Sequence, residues 1–85
     1  MLRISELDEP GQPVRLRLEG RLVGPWVDEL QRTLVSLRAR GARVSLDLAG
    51  VSFADPDGIA LVRALRREQV AIVDCTPFLA LQIEE

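Results

Sequence analysis

Asp55 and Asp57 stand on either side of Pro56 in the stretch VSFADPDGIALV, residues 51–62, where an apolar strand-like segment gives way to a helical one. Two carboxylates at such a junction fit four chemistries: an acid–base or nucleophile pair, a metal site, an imitation of a phosphate, or a helix cap. Capping accounts for the local pattern without any further group. A residue before proline is driven out of the α region, which is the backbone state an N-cap needs, and proline is preorganised for the first helical position. Asp57 then lies in the first turn, where the helix dipole favours a carboxylate by about 0.3–1 kcal/mol. Gly58, next in line, can serve close packing alone. An acidic functional surface on the same turn stays open beside the cap.

The residue types elsewhere in the chain restrict what such a surface can do. There is no His, and all 11 basic residues are Arg, so imidazole bases, imidazole metal ligands and lysine chemistry are absent. Cys75 is the sole cysteine; it can form no disulfide within the chain and has no His to activate it. Carboxylates, arginines and hydroxyls are a poor set for catalysis, and no cofactor or metal is expected. With 85 residues the chain is expected to form a single small domain, and its net charge of -2 with 47% hydrophobic residues describes a soluble globular protein with no call for nucleic acid. No basic N-terminal segment leads into an apolar one, which makes the cytoplasm the expected location. No apolar run approaches the roughly 18–20 residues of a membrane span, so a membrane link is expected only through a partner.

Two periods alternate along the chain and give the elements that must position the acidic turn. Leu2 and Ile4 oppose Arg3 and Ser5, and after DEPGQP the residues Val14, Leu16 and Leu18 oppose Arg15, Arg17 and Glu19. Both segments read as half-buried strands, joined as a hairpin through a turn centred on Pro10 and Gly11. In GPWVDELQRTLVSLRARG the apolar Val27, Leu30, Leu34 and Leu37 recur at helical spacing, with Pro25 at the start and Gly41 at the end. Trp26 reads as a helix anchor or, if exposed, as a partner contact. Val44, Leu46 and Leu48 then oppose Ser45 and Asp47 in a third strand, whose alternation predicts helices on one side of the sheet only. Beyond the acidic turn, Ile59, Leu61, Val62 and Leu65 form a short helical face, VAIVDC a last strand, and Thr76 with Pro77 the start of a last helix. The expected fold is α/β, of order β-β-α-β-α-β-α, with a four-stranded mixed sheet and its helices packed on one face.

Three blocks together resemble the STAS domains typified by bacterial anti-sigma-factor antagonists: VRLRLEGRL, VSLDLAGVSFADPDGIALVRAL and VAIVDCTP. The middle block is the most specific. Family members typically carry Asp-Ser-Ser-Gly or Asp-Ser-Thr-Gly at the start of the corresponding helix, so Asp55 matches the family's Asp and Gly58 its Gly. The resemblance implies a protein-binding switch module of the transcription-regulating or signalling kind, without catalysis of its own. In such proteins a partner kinase, itself the anti-sigma factor, phosphorylates the hydroxyl residue before the glycine. Here Asp57 occupies that place and Pro56 the one before it, so no Ser or Thr lies between Phe53 and Gly58. Val23 also stands where many relatives carry an acidic residue, and the connection into VAIVDC is shorter than usual.

The resemblance implies a protein partner, either an anti-sigma factor with serine-kinase activity or, as in STAS accessory subunits of ATP-driven lipid transporters, an ATPase subunit. Asp55, Asp57, Gly58 and Ile59 are the expected contact residues. DPDG is also similar to the Asp-x-Asp-Gly nucleophile turn of haloacid-dehalogenase-type phosphotransferases. That chemistry calls for further magnesium ligands and a lysine, and the chain contains no Lys.

Overall fold

The computed structural model describes residues 1–84. Its elements follow the order β1 (Leu2–Leu7), β2 (Val14–Leu22), α1 (Pro25–Ala39), β3 (Val44–Ala54), α2 (Pro56–Arg67), β4 (Ala71–Cys75) and α3 (Pro77–Glu84). The four strands lie side by side in sequence order; β1 is antiparallel to β2, whereas β2, β3 and β4 run parallel. The hairpin turn has Pro10 and Gly11 at its centre and closes with the Gln12 N–H donating to Glu9 O at 3.1 Å.

Alternation decides which face is covered. Val14, Leu16, Leu18 and Leu22 of β2 and Val44, Leu46 and Leu48 of β3 are buried in one cluster with Val27, Leu30, Leu34 and Leu37 of α1. Val62 and Leu65 of α2 and Leu79 and Ile83 of α3 complete that cluster. Arg15, Arg17, Glu19 and Arg21, on the other face of β2, are exposed. Full burial of one such leucine contributes about 1.5–3 kcal/mol, so this row supplies most of the driving force for the sheet to take up its helices.

Ser45 departs from the expected pattern. Its position places it on the polar face, yet it is buried. A small side chain on a central strand is shaded by its larger neighbours, and Leu7, Arg15 and Val73 stand around the depression it lines.

Both long helices end in the same backbone device. After α1, Gly41 adopts φ 77°, its N–H donates to Arg38 O, and the Ala42 N–H donates to Leu37 O. This is the Schellman pattern, with glycine at the left-handed position. After α2, Gln69 takes that position at φ 67°, with its N–H on Arg66 O and the Val70 N–H on Leu65 O. Buried Val70 and Leu65 supply the accompanying apolar contact. The pattern turns the chain from α2 into β4 through residues 68–70 alone, which is the physical basis of the short connection.

Candidate functional site

The acidic turn is built at the C-terminal ends of β2 and β3. Asp55 follows β3 in extended backbone, φ -78° and ψ 174°, as a pre-proline residue must. Pro56 opens α2, the Ile59 N–H makes the first helical bond to Asp55 O at 2.9 Å, and Asp55 Oδ1 accepts the Gly58 N–H at 2.7 Å. The N-cap expected of Asp55 is therefore present.

Asp55 does more than cap. Its Oδ2 accepts the Gly24 N–H at 2.9 Å, and its own N–H donates to Leu22 O at 3.1 Å. One carboxylate thus joins the start of α2 to the connection that leads into α1. Gly24 holds φ 51° and ψ -125°, a combination open essentially to glycine alone, and this turns its N–H toward Asp55. The N–H groups of Gly24 and, next, Gly58 hold the Asp55 carboxyl below its ordinary value of 3.8, against a smaller opposing effect of desolvation. A carboxylate whose two oxygens each accept a backbone N–H is weakly basic and has little left to offer an incoming ligand.

Gly58 is also committed inward. It is buried, and a Cβ at this position would lie 2.7 Å from Leu22 O and 3.1 Å from Leu22 Cγ. The missing side chain lets the first turn of α2 rest directly on the end of β2. Ile59 is half-buried against the core. Asp57 and Pro56 face solvent. The four residues expected to act together are adjacent, but they divide by role: Asp55 and Gly58 assemble the turn, Ile59 anchors it, and Asp57 is displayed by it.

Beside the turn lies a feature that alternation concealed. The register between β2 and β3 slips after Gly20, so that Gly20 pairs with Val51 and Arg21 with Phe53. Ser52 is the extra residue, and its hydroxyl donates to Gly20 O at 3.2 Å. The bulge leaves Phe53 42% exposed, with the Arg21 guanidinium 5.2 Å from the ring centroid. This exposed aromatic two residues before the acidic turn is a candidate site residue that sequence reasoning passed over; a phenylalanine at the end of an apolar strand reads as core. Trp26 is not an exposed anchor, since it is half-buried against the core and shares a shallow depression with Leu2 and Ile4.

Among the described residues, no group of three or more His, Cys, Asp or Glu is arranged to hold a metal ion, and no helix is long and apolar enough to cross a membrane. A family model described as "Mlab, STAS domain" matches residues 5–80. The chain belongs to this STAS family. No curated protein matches it. The match runs from within β1 to the start of α3, so the STAS frame includes the turn, the Gly24 connection and the Phe53 bulge. STAS domains generally mediate protein–protein interaction, and an outward carboxylate on a rigid turn is a feature such a domain can present.

Proposed function

We propose that this STAS domain is a non-enzymatic binding module that engages a protein partner through the first turn of α2, in the manner of an anti-sigma-factor antagonist. The observation that carries this reading is the division of the two carboxylates. Asp55 is bound on both oxygens by the backbone, whereas Asp57 is solvent-exposed at the same helix N-terminus. Asp57 supplies charge recognition, Pro56 a stiffened entry, and exposed Phe53 with Arg21 an adjoining aromatic contact. Aromatic and arginine side chains are the groups most often found to dominate interface energies.

A second reading keeps the surface and changes the partner to the ATPase subunit of a transporter. The sequence Asp55-Pro56-Asp57-Gly58 favours it, because a chain without a hydroxyl acceptor suits a constant subunit better than a phosphorylated switch. Affinity capture with the wild type and with Asp57→Arg as baits, followed by mass spectrometry, tests both. An anti-sigma-type kinase or an ATPase subunit held by the wild type and lost by Asp57→Arg is the expected result. Equal retention by the two baits refutes the assigned surface. Magnesium-dependent hydrolysis of an activated phosphate ester by the purified chain, lost in Asp55→Asn, would refute the non-enzymatic reading.

A further inference from the structure

The two edges of the sheet are not equally able to take another strand. β4, at one edge, has five residues, and its register with β3 breaks between Leu46 and Asp47. β1, at the other, pairs with β2 over consecutive positions without a slip, from Leu2 opposite Gly20 to Leu7 opposite Arg15, and no strand lies beyond it. Prolines and bulges commonly guard such an edge, and β1 has neither. Alternate residues of β1 therefore direct N–H and C=O groups away from the sheet. Along the same edge, between β1 and α1, runs a groove of about 330 Å³. Leu2, Ile4 and Glu6, which alternate onto the helix-covered side of β1, form one wall; Trp26, Glu29 and Thr33, spaced three and four apart on α1, form the other. Leu2, Ile4 and Trp26 make it apolar, and Glu6 and Glu29 are its charged lining residues. Glu6 makes no ion pair among the described residues. Glu29 holds only an exposed pair with Arg32 at 3.0 Å, a contact that contributes little. Arg32 and Arg40 line the next depression along α1 and not this groove.

We infer that the β1 edge accepts an extended segment of a protein partner as an added strand, and that this segment carries an aliphatic residue and an arginine or lysine on the side that faces α1. The ladder supplies backbone bonds that any sequence can make, and the groove supplies the selection. Side chains two positions apart on a strand share a face, so one segment can set an aliphatic group against Ile4 and Trp26 and a cation beside Glu6 and Glu29. An acidic segment would bring its charge against the same two carboxylates and is rejected. The groove shares no residue with the acidic turn, so the inference does not depend on the function proposed for that turn.

Trp26 is the sole tryptophan, so its fluorescence reports on the groove. The probe is the end-blocked peptide Thr-Leu-Thr-Leu-Thr-Arg-Thr, which places leucine and arginine on one side of a strand. It is expected to half-saturate the wild type below about 1 mM and to shift backbone amide resonances of β1 in NMR spectra. Exchanging the peptide's arginine for glutamate, or Glu6→Arg in the protein, should each weaken binding at least about threefold, and the two changes together should restore it. Arg3→Ala, on the other side of the same strand, should leave affinity within about twofold. Glu6 is exposed, so its replacement should spare the fold; circular dichroism checks this, and Glu29→Arg is the second probe should Glu6→Arg fail to fold. Because only alternate amides of a strand face the ladder, two peptides N-methylated at alternate amides in opposite phase should differ, one binding and one not. No saturation at several times the expected midpoint, equal binding by the arginine and glutamate peptides, equal binding by the two methylated forms, or amide shifts centred on β4 overturns the inference.

Discussion

Asp55 Oδ2 and the Gly24 N–H meet at 2.9 Å across 31 positions of sequence, so the two helix entrances of this STAS domain are tied by one carboxylate. The tie is strongest while Asp55 is ionised, because its N–H donors favour the charged form. Its folded-state value lies below 3.8, so the stability it contributes is fully present above that pH and is lost as the pH falls through the folded value. Asp55→Asn keeps the shape but offers one acceptor oxygen to two N–H donors. The variant should melt below the wild type at neutral pH, and the gap should narrow as the pH is lowered below 3.8. Thermal unfolding of both proteins across that range checks this; a gap independent of pH would show that the carboxylate's charge is immaterial.

Gln69 adopts a left-handed backbone that a side chain makes costly. Gln69→Gly is expected to stabilise the domain by about 1 kcal/mol. Gly41→Ala, at the equivalent position after α1 with open space around the new Cβ, should destabilise it by a similar amount. Urea midpoints that move in opposite directions verify the pair.

Leu46 is fully buried at the centre of the sheet. A carboxylate there would stand unpaired among leucines at a cost of several kcal/mol, against a total stability of about 5–10 kcal/mol for a domain of this size. Leu46→Asp should leave no cooperative unfolding transition. Arg17→Ala removes a 3.6 Å ion pair between half-exposed Arg17 and the more buried Asp47, whose carboxylate keeps the Ala49 N–H, and should cost under about 1 kcal/mol. Calorimetric scans of the two variants distinguish these outcomes.

Asp57 stands where the family resemblance places a phosphoacceptor, and phosphoserine differs from it by about one half to one further negative charge and one more oxygen. Because Asp57 is exposed, Asp57→Ser should change stability by less than about 1 kcal/mol. If the carboxylate imitates the phosphorylated state, the same substitution should tighten binding to an anti-sigma-type partner about tenfold, and phosphorylation of the new serine should reverse the gain. Titration calorimetry on the three forms measures this. Weaker binding by the unphosphorylated variant would make Asp57 a positive contact instead.

The element order was legible because periodicity and punctuation agree: each helix opens with a proline, at positions 25, 56 and 77, directly after a strand or its short exit. The Thr76 cap was legible for the same reason, and its hydroxyl accepts the Leu79 N–H at 3.2 Å. Three features were not. The end of α2 carries Gln69 where glycine would have marked it. The bulge at Ser52 shifts the strand by one position, which turns Phe53 outward against the alternation. The Gly24 contact with Asp55 depends on two strand ends being neighbours, and no local pattern encodes that. For the acidic turn, local rules gave the cap but not the second oxygen's partner, and it is that partner which separates the roles of the two aspartates.

Because Asp55 and Gly58 together build the turn, position 57 contributes no more than a first-turn charge to folding. A serine, a threonine, a carboxylate or a phosphorylated residue can stand there while the backbone beneath keeps its shape. The turn is in that sense a socket: the charge it displays to solvent can be exchanged at one side chain with little change in the frame that holds it.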